Sequence, residues 1–332
     1  MPLRPFRLPT DLDVIITLLP PSFQYPENEA WNFRQDEIEG MVDSLRGIRR
    51  LWPVVRLLQA LHPPLRDALC GFIWEEDEQP VGLTNIIRMG NTDRWLIGNV
   101  AVLPEYRRRG IARRLVEASV AYARERGAAS VVLDVIAGNE PAYRLYESLG
   151  FVHYDDRYEL NCAPAALPAD LPLPDSYRLT PCPHHNWRPR YELARRITPE
   201  AVRRYLPVEE GHFRQPFLMR LIAPLFLKAE GVRVQTWLAH HTASGQIVAS
   251  ARSVMRCRSG GNHRIEIDLD PAHEVLAHPL LAQMLRNVAP EGSQHPVELQ
   301  LPRWQAPLME AAQQAGFVLR YEYRSMGLIL RT

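Results

Sequence analysis

Two spacings of apolar residues recur along the chain, one typical of strands and one typical of helices. Mostly apolar runs of strand length cover 95–102 and 131–136. Between them, 111–121 repeats apolar residues every third or fourth position, and Gly127 suits the position just after a helix. A strand, a helix and a strand at this spacing predict two parallel strands joined by a right-handed crossover.

A turn rich in arginine separates the first of these strands from the helix. Pro104 cannot donate to a strand ladder, so the strand ends there, and Gly110 allows backbone angles that other residues avoid. The turn therefore lies at a helix N-terminus, where free N–H groups and the helix dipole favour an anion. Residues 107–109, Arg113 and Arg114 add positive charge beside it. A generic basic loop at a helix start is the alternative interpretation.

A second, shorter helix is predicted after the strand at 131–136. Pro141 suits its first turn, the apolar residues of 142–149 form one stripe, and Gly150 ends it. The arginine turn then lies at the carboxyl end of its strand, which is where open α/β sheets bind ligands.

Together these segments resemble the GNAT superfamily of N-acetyltransferases. Arg107, Gly110 and Ala112 match the family signature Gln/Arg-x-x-Gly-x-Gly/Ala, which follows a strand. Residues 139–151 match a second signature, an Asn and then Leu-Tyr-x-x-x-Gly-Phe. Either motif alone is weak, but both occur here with a helix and a strand of suitable length between them.

The resemblance implies acetyl-CoA as the acyl donor and no metal. The turn is expected to hold the pyrophosphate, and the backbone N–H groups of Val100 and Val102 to meet the pantetheine and the thioester carbonyl. In the family the residue at Asn139 contacts the pantetheine arm, although here it could be only a helix cap. The residues implied to bind the coenzyme are Val100, Ala101, Val102, Arg107, Arg108, Arg109, Gly110, Ile111, Ala112, Arg113, Asn139 and Tyr146.

Two residues are implied to move protons during the transfer. In the family the tyrosine at Tyr146 faces the coenzyme sulfur, whereas its place on an apolar stripe alone would favour a core tyrosine. Asp134 lies in the middle of its strand, where a charge is costly unless it is paired or solvated. Ribosomal-protein N-terminal acetyltransferases, which the chain resembles here, carry a glutamate base at this position, while many other members carry an acid without an established role. We therefore expect Tyr146 to act as the acid and Asp134 as the base, with a structural role as the alternative for each.

Composition and charge exclude several other classes of protein. The 332 residues are 46% hydrophobic and 23% charged, and the net charge of +1 gives no general affinity for nucleic acid or acidic membranes. Residues 1–170, which surround the arginines, hold 19 Arg against 24 Asp or Glu, so nucleic-acid binding is disfavoured. The four cysteines lack CxxC spacing, and no apolar stretch reaches the length of a membrane span. We therefore expect a cytoplasmic protein without membrane or nucleic-acid partners, and a homodimer is left open.

The second half of the chain repeats the first in outline. A proline-rich stretch at 161–175 reads as a stiff linker, which predicts a catalytic domain at 1–160 and a second domain at 176–332. Residues 316–318 repeat the Gly-Phe-Val of 150–152 at an offset of 166. At the place of the arginine turn, 274–279 has no glycine and contains a proline, so the second copy is predicted to be degenerate.

These observations predict an α/β protein with a mixed sheet, built from two tandem GNAT-like acyltransferase domains. The predicted activity is acetyl-CoA-dependent acetyl transfer directly to a primary amine on a small-molecule or peptide acceptor. The alternative is a non-catalytic protein that binds acyl-CoA or serves as a scaffold. Because the acceptor site of the family is shaped by its first two helices, residues 20–70 here, and no motif is found there, the sequence does not identify the acceptor.

Overall fold

The computed structural model describes residues 2–26, 28–61, 66–67, 70–163, 171–183, 185–214, 220, 223–225, 227–228, 231–257, 261–288 and 295–331. The chain divides into two compact units. One consists of Met1–Tyr154 together with Arg324–Thr332, and the other of Asp155–Tyr323.

The N-terminal part of the first unit begins with one strand and three helices, continues with three consecutive strands, and ends with a helix, a strand and a second helix. They are β1 (Leu3–Pro5), α1 (Asp11–Ser22), α2 (Gln35–Arg50), α3 (Trp52–Leu61), β2 (Cys70–Glu76), β3 (Gln79–Arg88), β4 (Arg94–Val102), α4 (Ile111–Glu125), β5 (Ser130–Ile136) and α5 (Glu140–Ser148). A short 3-10 helix, Pro104–Tyr106, lies between β4 and α4.

The sheet of the first unit is mixed. β1 to β4 pair antiparallel with their neighbours in sequence, whereas β4 and β5 pair in parallel, as the strand–helix–strand spacing predicts. The strand beside β5 is the last part of β12 (Val318–Ile329). Leu330 N, just beyond β12, donates to Ala129 O at 2.8 Å, just before β5 begins. The first unit therefore completes its sheet with residues that stand almost 200 positions after β5.

Apolar side chains cover both faces of this sheet. On one face, α4 buries Val116 against Leu133 of β5 and Met326 of β12. On the other face, α1 buries Leu12 against Ile73 of β2. Each large apolar side chain buried in this way contributes about 1.5–3 kcal/mol to folding. The helical stripe predicted for 111–121 is thus confirmed as the buried face of α4 at Ile111, Leu115, Val116 and Val120, whereas Ala121 is exposed.

The second unit has the same order of strands. Its elements are β6 (Val152–Cys162, whose first residues belong to the first unit), β7 (Tyr177–Pro181), α6 (Arg188–Ile197), α7 (Glu200–Tyr205), α8 (Glu210–Phe213), β8 (Val232–His241), β9 (Ile247–Arg256), β10 (His263–Leu269), α9 (Ala277–Val288), β11 (Val297–Pro302), α10 (Ala306–Gln314) and the first part of β12. β7 to β10 pair antiparallel in sequence, β10 and β11 pair in parallel, and β6 pairs antiparallel with β11.

The internal repeat predicted from the sequence is confirmed. α10 begins and ends 166 residues after α5, and Gly150 and Gly316, which follow these helices, have φ of +88° and +84°. The predicted fold class, an α/β fold with two copies of one arrangement, is therefore correct.

The segment predicted as a linker is only partly described. β6 extends to Cys162, residues 171–174 have no regular secondary structure, and 164–170 lie outside the described residues. Among the helices of the described residues, none is both long and apolar enough to cross a membrane.

Candidate active site

The parallel strands of the first unit separate toward their carboxyl ends. Their register runs from Arg94 opposite Ser130 to Ile97 opposite Leu133 and stops there, although both strands continue. We call the opening between 98–102 of β4 and 134–136 of β5 the fork. Because these two segments are not paired with each other, backbone groups on their facing edges are open to a ligand.

A bulge in β4 marks the start of the fork. Opposite Asn85 of β3, the strand accommodates two residues, Gly98 and Asn99. The Asn85 side chain accepts a hydrogen bond from Asn99 N at 2.6 Å, and a Cβ on Gly98 would lie 2.7 Å from the same side chain. Since a bulge bends its strand, this local arrangement turns β4 away from β5.

The arginine turn follows the fork at the end of β4. Gly110 has φ of +80° and Arg108 has φ of +64°, both in the left-handed region that favours glycine. The first bond of α4 runs from Arg114 N to Gly110 O at 3.2 Å. The N–H groups of 111–113 therefore have no partner within the helix, and they form a site for an anion at the start of a 15-residue helix.

Arg107, the first residue of the signature, does not point toward this site. Its guanidinium donates to the carbonyl oxygens of Ser22 and Gln24 at 3.0 and 3.2 Å, and more weakly to Val102 O at 3.4 Å. It also lies 5.1 Å from the centre of the Tyr25 ring. The side chain of Arg107 thus holds the loop after α1 against the end of β4.

The other arginines differ in how far they are engaged. Arg109 pairs with Glu76 at 3.2 Å, and Arg113 donates to Ser148 Oγ at 2.7 Å. Arg108 is exposed, and its guanidinium makes no hydrogen bond or ion pair within the described residues. Arg108 is therefore the arginine of the turn most free to meet an incoming anion.

Asn139 and Tyr146 both lie on the far side of the fork from β4. Asn139 caps α5 by accepting a hydrogen bond from Ala142 N at 3.3 Å, and its side-chain amide donates to no described residue. Tyr146 is 7% exposed, packs edge-on against Phe151, and its hydroxyl has no partner among the described residues. Burial, with a smaller contribution from the phenol of Tyr25, raises the pKa of Tyr146 well above its usual value. The phenol therefore stays protonated and can act as a donor.

Asp134 occupies the first position of β5 beyond the paired part of the strand. The side chain is half-buried, and its Oδ1 accepts a hydrogen bond from Ser325 Oγ at 2.6 Å. Sequence reasoning identified Asp134 but missed Ser325, which lies 191 residues later. No local pattern in the sequence could have indicated that these two residues are neighbours.

An aromatic loop between α1 and α2 also reaches this region. Phe23 packs on Phe33 with 4.7 Å between ring centres, and Tyr25 packs edge-on against Trp31 at 5.5 Å. Trp31 lies over Gly138, where an added Cβ would be 3.1 Å from the indole ring. Residues 22–26 and 28–33 of this loop therefore border both the arginine turn and the end of β5.

The corresponding place in the second unit is built differently. β10 and β11 also separate, after Ile265 and Leu299, but the buried side chain of Gln305 donates from Nε2 to Leu269 O at 2.9 Å. Gln305 stands 166 residues after Asn139. In the second unit, the side chain at this position hydrogen-bonds the main-chain carbonyl at the end of β10. Pro279, buried near the start of α9, also lacks an N–H group.

Comparison with known proteins matches the site-bearing half. The model of the Acetyltransferase (GNAT) family matches residues 20–151. Over 77 residues, which are 23% of this chain and 51% of the relative, the chain is 42% identical to N-alpha-acetyltransferase 30 of Schizosaccharomyces pombe. The chain thus spans about half the length of this curated relative.

Solved structures extend the likeness in fold to the whole chain. A GCN5-related N-acetyltransferase from Sphaerobacter thermophilus has a TM-score of 0.64 and 17% identity, with 99% of this chain and 96% of that one covered. A tandem GNAT protein from the clavulanic acid biosynthesis pathway has a TM-score of 0.59 and 14% identity, with 98% of both chains covered. At these identities the likeness establishes the fold and not the substrate.

Proposed function

Because the Acetyltransferase (GNAT) family matches residues 20–151, in a chain with the tandem GNAT fold, we propose that the first unit is an acetyl-CoA-dependent N-acetyltransferase. The acceptor is a primary amine that receives the acetyl group directly. One observation carries the proposal: the unpaired fork of β4 and β5 ends at a left-handed turn whose helix N-terminus has free N–H groups.

The residues of this site fit the parts of acetyl-CoA in order. The N–H groups of 111–113 and the exposed Arg108 suit the pyrophosphate, because both present positive charge to an anion. The unpaired edge of 100–102 and the free amide of Asn139 suit the amide groups of the pantetheine. Arg107 would contribute to coenzyme binding through its main chain and by positioning the neighbouring loop with its guanidinium, rather than by pairing its charge with the coenzyme.

Two side chains would handle protons at the reacting centre. Acetyl-CoA supplies the thioester when it is bound. An attacking amine must be neutral, so its proton has to leave, and Asp134 would accept that proton directly or through water. As the carbon–sulfur bond breaks, Tyr146 would donate its phenolic proton to the departing sulfur, which its protonated state favours.

The acceptor would enter beneath the aromatic loop. The loop lies beside the end of β5, because its Trp31 lies over Gly138. The relative matched over 77 residues is an N-alpha-acetyltransferase, which makes a peptide α-amine one acceptor class to test, beside small amines.

An acceptor screen that detects the free thiol of CoA tests the proposal. We expect release of CoA from acetyl-CoA with at least one amine, and one acetyl-CoA bound per chain by calorimetry. Tight acetyl-CoA binding without thiol release for any amine would instead support a non-catalytic acyl-CoA-binding protein. Absence of binding would contradict both.

A further inference from the structure

The C-terminal residues of the chain form part of the first unit beside the proposed base. Residues 324–332 belong to this unit, and the end of β12 is the strand next to β5. Leu330 N donates to Ala129 O, and together with the bond from Ser325 Oγ to Asp134 Oδ1 this indicates an antiparallel register. Five residues back along β12 and five residues forward along β5, this register places Ser325 opposite Asp134, where the side chains are bonded.

The hydrogen bond between these residues is short and shielded from water. The hydroxyl of Ser325 is 2.6 Å from Asp134 Oδ1, and Ser325 is only 6% exposed. Hydrogen bonds to a carboxylate are stronger than those between neutral groups and hold the geometry of the acceptor more tightly. Since Oδ1 is engaged, the carboxylate has a fixed rotamer at the mouth of the fork.

The residues on either side anchor the segment that carries Ser325. Met326 is fully buried in the core with Leu133 and Tyr146. Arg324 pairs with Glu140 at the start of α5 at 3.3 Å and lies 5.1 Å from the Tyr143 ring centre. The segment therefore contacts both β5, which carries the proposed base, and α5, which carries the proposed acid.

We propose that Ser325 is a positioning residue for the transfer reaction and acts by holding the carboxylate of Asp134 in its working orientation. This inference rests on the proposed function of the first unit. It assigns to the last strand of the chain a part in the chemistry at the fork, beyond completing the sheet.

The test is a double-mutant cycle on the full chain with acetyl-CoA and the amine that releases CoA fastest in the acceptor screen. We expect Ser325→Ala to lower kcat about 10-fold, the value of one hydrogen bond to a charged group, with the acetyl-CoA KM unchanged. Ser325→Thr, which keeps the hydroxyl, should restore most of kcat. In an Asp134→Asn background, Ser325→Ala should cause no further loss of kcat, because the carboxylate base that Ser325 orients is already absent.

A matched control removes a buried serine of β5, the strand that carries Asp134. Ser130 is the first residue of β5 and is 1% exposed. Ser130→Ala should therefore change the melting temperature but leave kcat at the wild-type value. Full kcat in Ser325→Ala, or an equal loss in both Asp134 backgrounds, would overturn the inference and leave the proposed function standing. No CoA release by the wild-type chain would overturn both.

Discussion

At the scale of single residues, the site combines groups with chemistry and groups that only hold the chemistry in place. Tyr146 has a protonated hydroxyl with no partner among the described residues, in a core of apolar neighbours, while Asn139 caps α5 through its side-chain oxygen. Arg107 belongs to the second kind, because its guanidinium is committed to main-chain carbonyls of the loop after α1. Charge in the signature turn is thus not all directed at the ligand.

Replacing Tyr146 by Phe separates the two interpretations of this residue. Phenylalanine keeps the packing against Phe151 and loses only the proton donor. We expect kcat to fall by roughly 10- to 10³-fold while the affinity for acetyl-CoA, measured by calorimetry, stays within a factor of about two. An enzyme with full kcat would return Tyr146 to a purely structural role.

Replacing Gly110 by Asp should abolish acetyl-CoA binding. The new residue would be strained at a φ of +80° and would place a negative charge beside the proposed pyrophosphate position, so we expect at least about 100-fold weaker binding. Gly245→Asp is the matched control, since Gly245 also has a positive φ, +67°, and open space around it, but it lies in the second unit. If both variants bind acetyl-CoA like the wild type, the turn is not the pyrophosphate site.

Replacing Arg107 and replacing Arg108 should affect different kinetic and binding constants. Arg108→Ala removes an exposed, unengaged charge, so we expect a roughly 3- to 10-fold higher acetyl-CoA Kd whose difference from wild type shrinks at high salt. Arg107→Ala releases the carbonyls of Ser22 and Gln24, so we expect it to raise the acceptor KM more than the acetyl-CoA Kd. The opposite ranking in calorimetry and steady-state kinetics would show that Arg107 serves the coenzyme directly.

At the scale of elements, local patterns in the sequence were sufficient for the strand–helix–strand core but not for what surrounds it. Local features can be predicted because they depend on neighbours within a few residues. Examples are the apolar stripe of α4, the left-handed Gly110 and the cap at Asn139. The partner of Asp134 depends on strand pairing across 191 residues, and the orientation of Arg107 depends on a loop more than 80 residues earlier. Neither relation leaves a periodic signal.

The hairpin of β9 and β10 should make the second unit sensitive to acid. His263 is buried, and its Nδ1 accepts a hydrogen bond from Arg256 N at 3.0 Å, which requires the neutral ring. Burial, with a smaller effect of the neighbouring His295, lowers the pKa of His263 from its usual value of 6.5 to about 4. As the pH falls, the imidazole of His263 is therefore protonated in the unfolded chain before it is protonated in the folded protein. The stability contributed by the neutral ring is fully present above about pH 6.5 and is lost as the pH falls toward 4.

Thermal melts of the full chain between pH 7.5 and about pH 4 can test this effect. His263→Asn keeps an oxygen acceptor for Arg256 N but does not titrate, so its melting temperature should fall less with acidification than that of the wild type. Parallel curves for the two proteins would mean that carboxylates alone set the acid dependence.

At the scale of the whole chain, the two copies of one fold share their strand arrangement but differ at the turn after the first of the two parallel strands. Both units retain the separating parallel strands, but the second places Gln305 against Leu269 O and replaces the glycine turn with buried apolar residues of α9. From this contrast we predict a single acetyl-CoA site per chain. The completeness of the first unit, in turn, depends on residues 324–332, which a sequence-based division into consecutive halves assigns elsewhere.

A chain that ends at Tyr323 tests how much the first unit needs these residues. The deletion removes Met326 and Leu328 from the core around Phe151, together with the hydroxyl that holds Asp134. Losing the fully buried Met326 alone costs about 1.5–3 kcal/mol, and losing the partly buried Leu328 adds to this, which together is a large part of the stability of a typical domain. We therefore expect a protein that no longer binds acetyl-CoA and whose β5 becomes accessible to proteolysis.

A chain ending at Ile329 is the matched control, because it loses Leu330 and Arg331 but keeps Ser325 and the buried residues beside it. It should bind acetyl-CoA with a modestly lower melting temperature, and equal behaviour of the two truncations would show that the strand does not carry the stability we assign to it.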